Sequence, residues 1–162
     1  MYRVCFVCTG NICRSPIGEV VLRSLLSDAG LADRVAVDSA GTGDWHVGQG
    51  ADRRTLGVLS QSGYDGAAHR ARQFDPAWFA ERDLILAADE GHQRALRRLA
   101  PDAADRDKVR LIREFDEDAV AAGTLEVDDP YYGGAREFER CLAEVEAACR
   151  GLVDHLAGEL AR

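Results

Sequence analysis

Residues 2–7, Tyr-Arg-Val-Cys-Phe-Val, are apolar or β-prone apart from one arginine, and a glycine-containing turn follows. That is the pattern of a buried central strand. Beyond Pro16 the rhythm changes, with Ile17, Val20, Val21, Leu25 and Leu26 recurring at helical spacing. Pro16 suits a first helical turn, where its missing N–H costs nothing, and Gly30 suits the stop. Val35–Asp38 reads as a second strand, 39–43 as a loop, and 51–63 as a helix with Leu56 and Leu59 inward and Gly63 at its end. Leu84–Ala87 is a third short apolar run before a helix over 89–99, and 108–112 a fourth strand. Gly123 to Gly134 is a long polar loop containing Pro130. A last helix over about 136–158 carries the stripe Phe138, Cys141, Leu142, Val145, Cys149, Leu152, Val153 and Leu156.

Strands alternating with helices predict an α/β fold of three layers, a central four-stranded parallel sheet flanked by helices. With no repeat, linker or low-complexity tract, 162 residues predict a single domain over 1–162. In such sheets ligands bind beyond the C-terminal ends of the strands. The loop that begins at Cys8 lies at that end of the first strand.

Composition narrows the function classes. The chain is 46% hydrophobic and 30% charged, as in an ordinary globular domain. It holds no apolar run of about 18 residues and no pattern of an export signal, so no membrane span and a cytoplasmic location are expected. A net charge of −8 argues against nucleic acid or an anionic membrane as partner. An anion bound here must be held by local groups. The five cysteines (Cys5, Cys8, Cys13, Cys141, Cys149) are odd in number and not dense, which favours a reducing compartment over a disulfide framework. Cys5-x-x-Cys8 resembles half a zinc site, but no second half exists, so neither metal nor another cofactor is expected.

The loop Cys8-Thr9-Gly10-Asn11-Ile12-Cys13-Arg14-Ser15 carries the chemistry. A strand-to-helix loop gathers backbone N–H groups at the positive end of a helix, which suits phosphate. The same field, with Arg14 near, favours a thiolate at Cys8, a nucleophile able to attack phosphorus. Arg14 offers a planar fork for two phosphoryl oxygens. Ser15 can hydrogen-bond the sulfur, Asn11 can brace a strained backbone, and Gly10 permits positive φ or close approach of an anion. The loop has no lysine and so is not a nucleotide-binding Walker loop. Cys-x5-Arg alone also arises by chance, and buried cysteines commonly only fill space.

The stretch Val7-Cys8-Thr9-Gly10-Asn11-Ile12-Cys13-Arg14-Ser15-Pro16 closely resembles the signature of low-molecular-weight protein tyrosine phosphatases of bacterial type. Asp38-Ser39-Ala40-Gly41-Thr42 and Asp129-Pro130-Tyr131-Tyr132 match further motifs in the same order. The resemblance implies two steps through a cysteinyl-phosphate, with Cys8 as nucleophile, Arg14 binding the phosphoryl group and Asp129 as general acid and then base. Thr9, Gly10, Asn11, Ile12, Cys13 and Ser15 would complete the phosphate-binding loop. Asp128, adjacent, stays open as the acid. By the same likeness Ser39 supports the loop through Asn11, Trp45, Tyr131 and Tyr132 form an aromatic slot, and Asp89 is a structural aspartate. His46 is expected to tune substrate preference, and His69, His92 and His155 are read as surface or helix-face residues without a role. Cys13 would trap an oxidised Cys8 as a reversible disulfide. The implied partners are tyrosine-phosphorylated proteins, with a cognate tyrosine kinase left open, and a monomer is expected.

Three other readings stand beside this one. Arsenate reductases of the same fold relay electrons through further cysteines, and this chain has none between Cys13 and Cys141. Phosphoarginine phosphatases of the same family carry Thr where Ile12 stands. A non-catalytic phosphate-binding module would need neither a nucleophile nor a matched acid.

Overall fold

The computed structural model describes residues 1–162. Its strands are β1 (Tyr2–Cys8), β2 (Val35–Gly41), β3 (Leu84–Ala87) and β4 (Val109–Leu111). Its α-helices are α1 (Arg14–Asp28), α2 (Arg53–Gln61), α3 (Glu90–Leu99), α4 (Ala103–Asp107), α5 (Glu117–Ala122) and α6 (Ala135–Leu160). The strands form one sheet in the order β2-β1-β3-β4, every pairing parallel. The expected three-layer α/β architecture is present.

Alternation along β1 explains the layers. Val4, Phe6 and Cys8 enter a core built with Ile17, Val21 and Leu22 of α1 and Val145, Leu152 and Leu156 of α6. Cys5 and Val7 point the other way, into a smaller core with Phe74, Phe79, Ile85 and Leu96. A strand covered on both faces must be apolar at nearly every position, which is why β1 reads as a continuous run. Chain order reverses between β1 and β3, so the loops after β1, β2 and β3 open into one crevice.

Several boundaries differ from the expectation. β2 runs on through Ser39, Ala40 and Gly41, the stretch expected to be loop, because its full length pairs with β1, Cys8 opposite Gly41. The inward face of α2 is Thr55, Val58 and Leu59, with Leu56 only half-buried. Short helices α4 and α5 and the 3₁₀ segments Pro76–Glu81 and Ile112–Phe115 were not expected. Each is six residues or fewer, too short for a hydrophobic period to declare itself. Aspartate caps start many of the helices: Asp52, Asp89, Asp102 and Asp116 each accept a backbone N–H of the first turn. At the start of α1 no side chain does so, leaving that helix end to the loop in front of it.

Candidate active site

Most of the loop from Cys8 to Ser15 is buried, with Thr9 exposed and Gly10 half-buried, and it is bonded from several sides. Cys8 Sγ lies 2.9 Å from Ser15 Oγ. Asn11 is fully buried in the left-handed region, at φ 58°, a conformation that costs most side chains but that Asn tolerates. Gly10, read as permitting positive φ or close approach, does not take positive φ, and a Cβ there would sit 2.8 Å from the His46 ring. Gly41 serves close approach, since a Cβ on it would meet Thr9 O at 2.6 Å.

The Asn11 amide is oriented by its partners. Its Oδ1 accepts the Arg72 backbone N–H at 2.9 Å, so its Nδ2 donates to Ser15 Oγ (2.8 Å) and Ser39 Oγ (2.9 Å). Ser39 in turn donates to Glu19 Oε1 at 2.7 Å. Ser39, the residue expected to support the loop, thus lies in hydrogen-bond contact with Asn11. Ile12 O accepts from the Asp52 backbone N–H (3.0 Å) and Thr55 Oγ1 (3.1 Å). Thr42 N–H donates to Cys8 O at 2.9 Å and Gly43 N–H to Thr9 O at 3.0 Å.

Two of the histidines read as surface or helix-face residues without a role are buried against this loop. His69 Nε2 lies 2.7 Å from Asn11 O, so it must carry the proton there. His92 Nε2 lies 2.7 Å from Thr9 Oγ1. Burial lowers both pKa values; the Asn11 carbonyl opposes this at His69 and the Asp89 carboxylate at His92. His92 does lie on a helix, α3, and His155 is half-buried on α6 with its ring 5.2 Å from that of Phe115.

Arg14 is buried at the first position of α1. Its Nη1 donates to Asp89 Oδ2 and to Val127 O, each at 2.9 Å, and Nη2 stands 3.7 Å from Asp129 Oδ2. Burial pulls its pKa down, but Cys8, Asp129 and Asp89 outweigh that and hold it above the ordinary value. Asp89 caps α3 through His92 N–H at 3.0 Å. Burial works against its charge, yet His92 and Arg14 keep its pKa below the usual carboxylate value. Its role is thus to hold Arg14 as well as to begin a helix.

Asp129 reaches the site from the loop before α6. Its Oδ1 accepts the Tyr131 backbone N–H at 3.1 Å, and its other oxygen faces Arg14. Asp128 turns away, toward Arg140 at 3.4 Å. Cys8, Arg14, Asp129, Ile12 and Cys13 line a cavity of about 220 Å³ whose rim carries Trp45, His46, Tyr131 and Tyr132. Trp45 is 70% exposed and Tyr132 92%, so neither is there to fill a core. Cys13 is buried beside the cavity, and burial pushes its thiol up to about 12. Residues that the sequence reading missed are His69, His92, Arg72, Asp52, Arg54 and Thr55. Only His92 left a trace, three places after an aspartate at a helix start.

Residues 3–162 match the family model described as low molecular weight phosphotyrosine protein phosphatase. The chain is 60% identical over 152 residues to the low molecular weight protein-tyrosine-phosphatase of Streptomyces coelicolor, covering 94% of this chain and 92% of that protein. It is 48% identical over 161 residues to the low molecular weight protein-tyrosine phosphatase A of Mycobacterium tuberculosis, covering 98% and 94%. A crystal structure of protein tyrosine phosphatase from Entamoeba histolytica superposes with a TM-score of 0.92 at 33% identity, covering 98% of this chain and 99% of that one. The chain belongs to the low molecular weight phosphotyrosine protein phosphatase family, enzymes that hydrolyse phosphomonoesters.

Proposed function

We propose that the chain works as one catalytic domain in which Cys8 attacks the phosphorus of phosphotyrosine, Arg14 binds the phosphoryl oxygens and Asp129 moves the proton. The observation that carries this is convergence: thiol, guanidinium and carboxylate line one cavity of about 220 Å³ with an aromatic rim. In the first step the Cys8 thiolate displaces the phenol, to which Asp129 gives its proton. Arg14 and the N–H groups at the start of α1 carry the charge spread over the phosphoryl oxygens. In the second step Asp129 takes a proton from water, which attacks the cysteinyl-phosphate. Asn11 donates to Ser15 Oγ, which leaves the Ser15 hydroxyl proton to Ala40 O at 3.3 Å or to Cys8 Sγ at 2.9 Å; turned to Sγ, it stabilises the departing thiolate.

Thr9, Gly10, Ile12 and Cys13 complete the cradle, and Trp45, Tyr131 and Tyr132 hold the ring of the substrate. Cys13, beside the same cavity as Cys8, supports a reversible disulfide as protection from oxidation. Substrates are tyrosine-phosphorylated proteins, so a protein tyrosine kinase must act before this enzyme. Five free thiols suit a reducing cytoplasm, and we expect a monomer. No helix is long and apolar enough to cross a membrane.

Cys8→Ser should abolish turnover of phosphotyrosine peptides while leaving binding of the product phosphate measurable by calorimetry. Retained turnover would refute the nucleophile. Asp129→Ala should cost about 10²–10⁴ in kcat/KM when the leaving phenol is weakly acidic, and much less when it is strongly acidic.

A further inference from the structure

The loop that carries Asp129 has few ties to the rest of the molecule. Its entry is held by Val127 N–H to Ala88 O at 2.8 Å, its exit by Gly134 N–H to Glu137 Oε2 at 2.9 Å. Between them the Tyr131 and Gly133 carbonyls face one side chain, Arg54. Its Nη1 donates to Tyr131 O at 2.9 Å and to Gly133 O at 3.3 Å. The guanidinium lies 4.6 Å from the Phe138 ring centre and 5.4 Å from that of Tyr131.

The other edge of the same guanidinium is held just as firmly. Nε and Nη2 donate to the two carboxylate oxygens of Asp52, each at 3.0 Å. This is the two-pronged pairing that fixes an arginine in orientation as well as in distance. Asp52 in turn is tied to the nucleophile loop, because its backbone N–H donates to Ile12 O at 3.0 Å. A continuous path therefore runs from Ile12 through Asp52 and Arg54 to Tyr131. Tyr131 is the residue whose N–H holds Asp129 Oδ1.

We propose that Arg54 is a positioning residue for the general acid, bridging the nucleophile loop to the turn that carries Asp129 and thereby setting the acid's reach to the leaving oxygen. Arg54 touches neither substrate nor reacting atoms in this scheme. Its effect passes through Asp129, so the proposal rests on the acid role assigned above. Proton transfer requires hydrogen-bond reach, and a carboxyl displaced by about 1 Å loses up to about a hundredfold.

The test is the dependence of kcat/KM on leaving-group acidity across a series of aryl phosphates. This quantity reports the step in which the phenol departs. Arg54→Met keeps the apolar stem over Phe138, and Arg54→Lys keeps the charge; neither can grip two carbonyls and a carboxylate at once. Both variants should lose about ten- to a hundredfold on the least acidic phenol and within about threefold on the most acidic, so the slope steepens. Arg54→Met combined with Asp129→Ala should be no steeper than Asp129→Ala alone. An equal loss at every leaving group would mean that Arg54 only adds positive potential or stability, and would overturn the proposal. Extra steepening in the double variant would overturn it as well. Failure of Asp129→Ala itself to steepen the slope would instead remove the acid assignment beneath it.

Discussion

The two loops that meet at the cavity are built on opposite plans. The nucleophile loop is largely buried and its side chains and carbonyls are tied down: Asn11 alone engages Arg72, Ser15, Ser39 and His69. The acid loop is exposed, with the Asp129 side chain 45% accessible and Tyr132 92%. It is secured through backbone carbonyls and a few side chains at its margin. The difference fits the chemistry proposed for each. Charge on the phosphoryl oxygens is best met by donors that need no rearrangement, which demands a rigid, dry cradle. An acid that must admit a protein-bound tyrosine, and later water, has to stand at the open mouth.

The comparison breaks most sharply at Asn11. Asn11→Ala leaves buried partners unpaired and puts alanine into the left-handed region, so about 3 kcal/mol of stability should be lost. kcat should fall about a hundredfold as the cradle relaxes. Urea unfolding and steady-state kinetics on one preparation measure both, and loss of neither would show that the loop holds its shape without the amide.

A second test uses pH. His69 and His92 are buried against the nucleophile loop with lowered pKa values, while unfolded histidine titrates near about 6.5. As pH falls through that value the unfolded chain takes up protons that the folded one resists. The stability these residues support is thus full above about pH 6.5 and lost as pH drops below it toward their folded values. Melting temperature should decline over that window, and the decline should shrink in a His69→Gln, His92→Gln variant. A curve that is flat in the parent chain would contradict the buried, neutral assignment.

The smallest effect is expected on the other loop. Tyr132→Ala should change stability by less than about 0.5 kcal/mol, since the ring packs against little beyond Tyr131. KM for a phosphotyrosine peptide should rise by roughly three- to tenfold, the worth of about 0.5–1.5 kcal/mol of aromatic contact. A large drop in melting temperature would mean that the acid loop is structural in the way the nucleophile loop is.

Some of this architecture could be read directly along the chain. The apolar run of β1 and the helical spacing beyond Pro16 are local signals, each decided within one or two turns. Boundaries were less legible where pairing decides them: Ser39-Ala40-Gly41 looks like loop by composition and is strand because Phe6, Val7 and Cys8 lie alongside. The left-handed residue of the loop is Asn11, since the network around the amide, and not the absence of a side chain, sustains that backbone.

By itself, the sequence determined a strand–loop–helix unit with Cys8 at one end of the loop and Arg14 at the other, because those residues are neighbours along the chain. Its motifs also named Asp129 and the aromatic residues of the rim. Only the tertiary structure decided what steadies them. His69 meets Asn11 across 58 residues, His92 meets Thr9 across 83, and Arg54 meets Tyr131 across 77. Contacts of that separation leave no period or spacing in a sequence. They exist because the sheet order brings the ends of β1, β2 and β3 to one crevice, where a buried donor must find whatever acceptor the fold delivers.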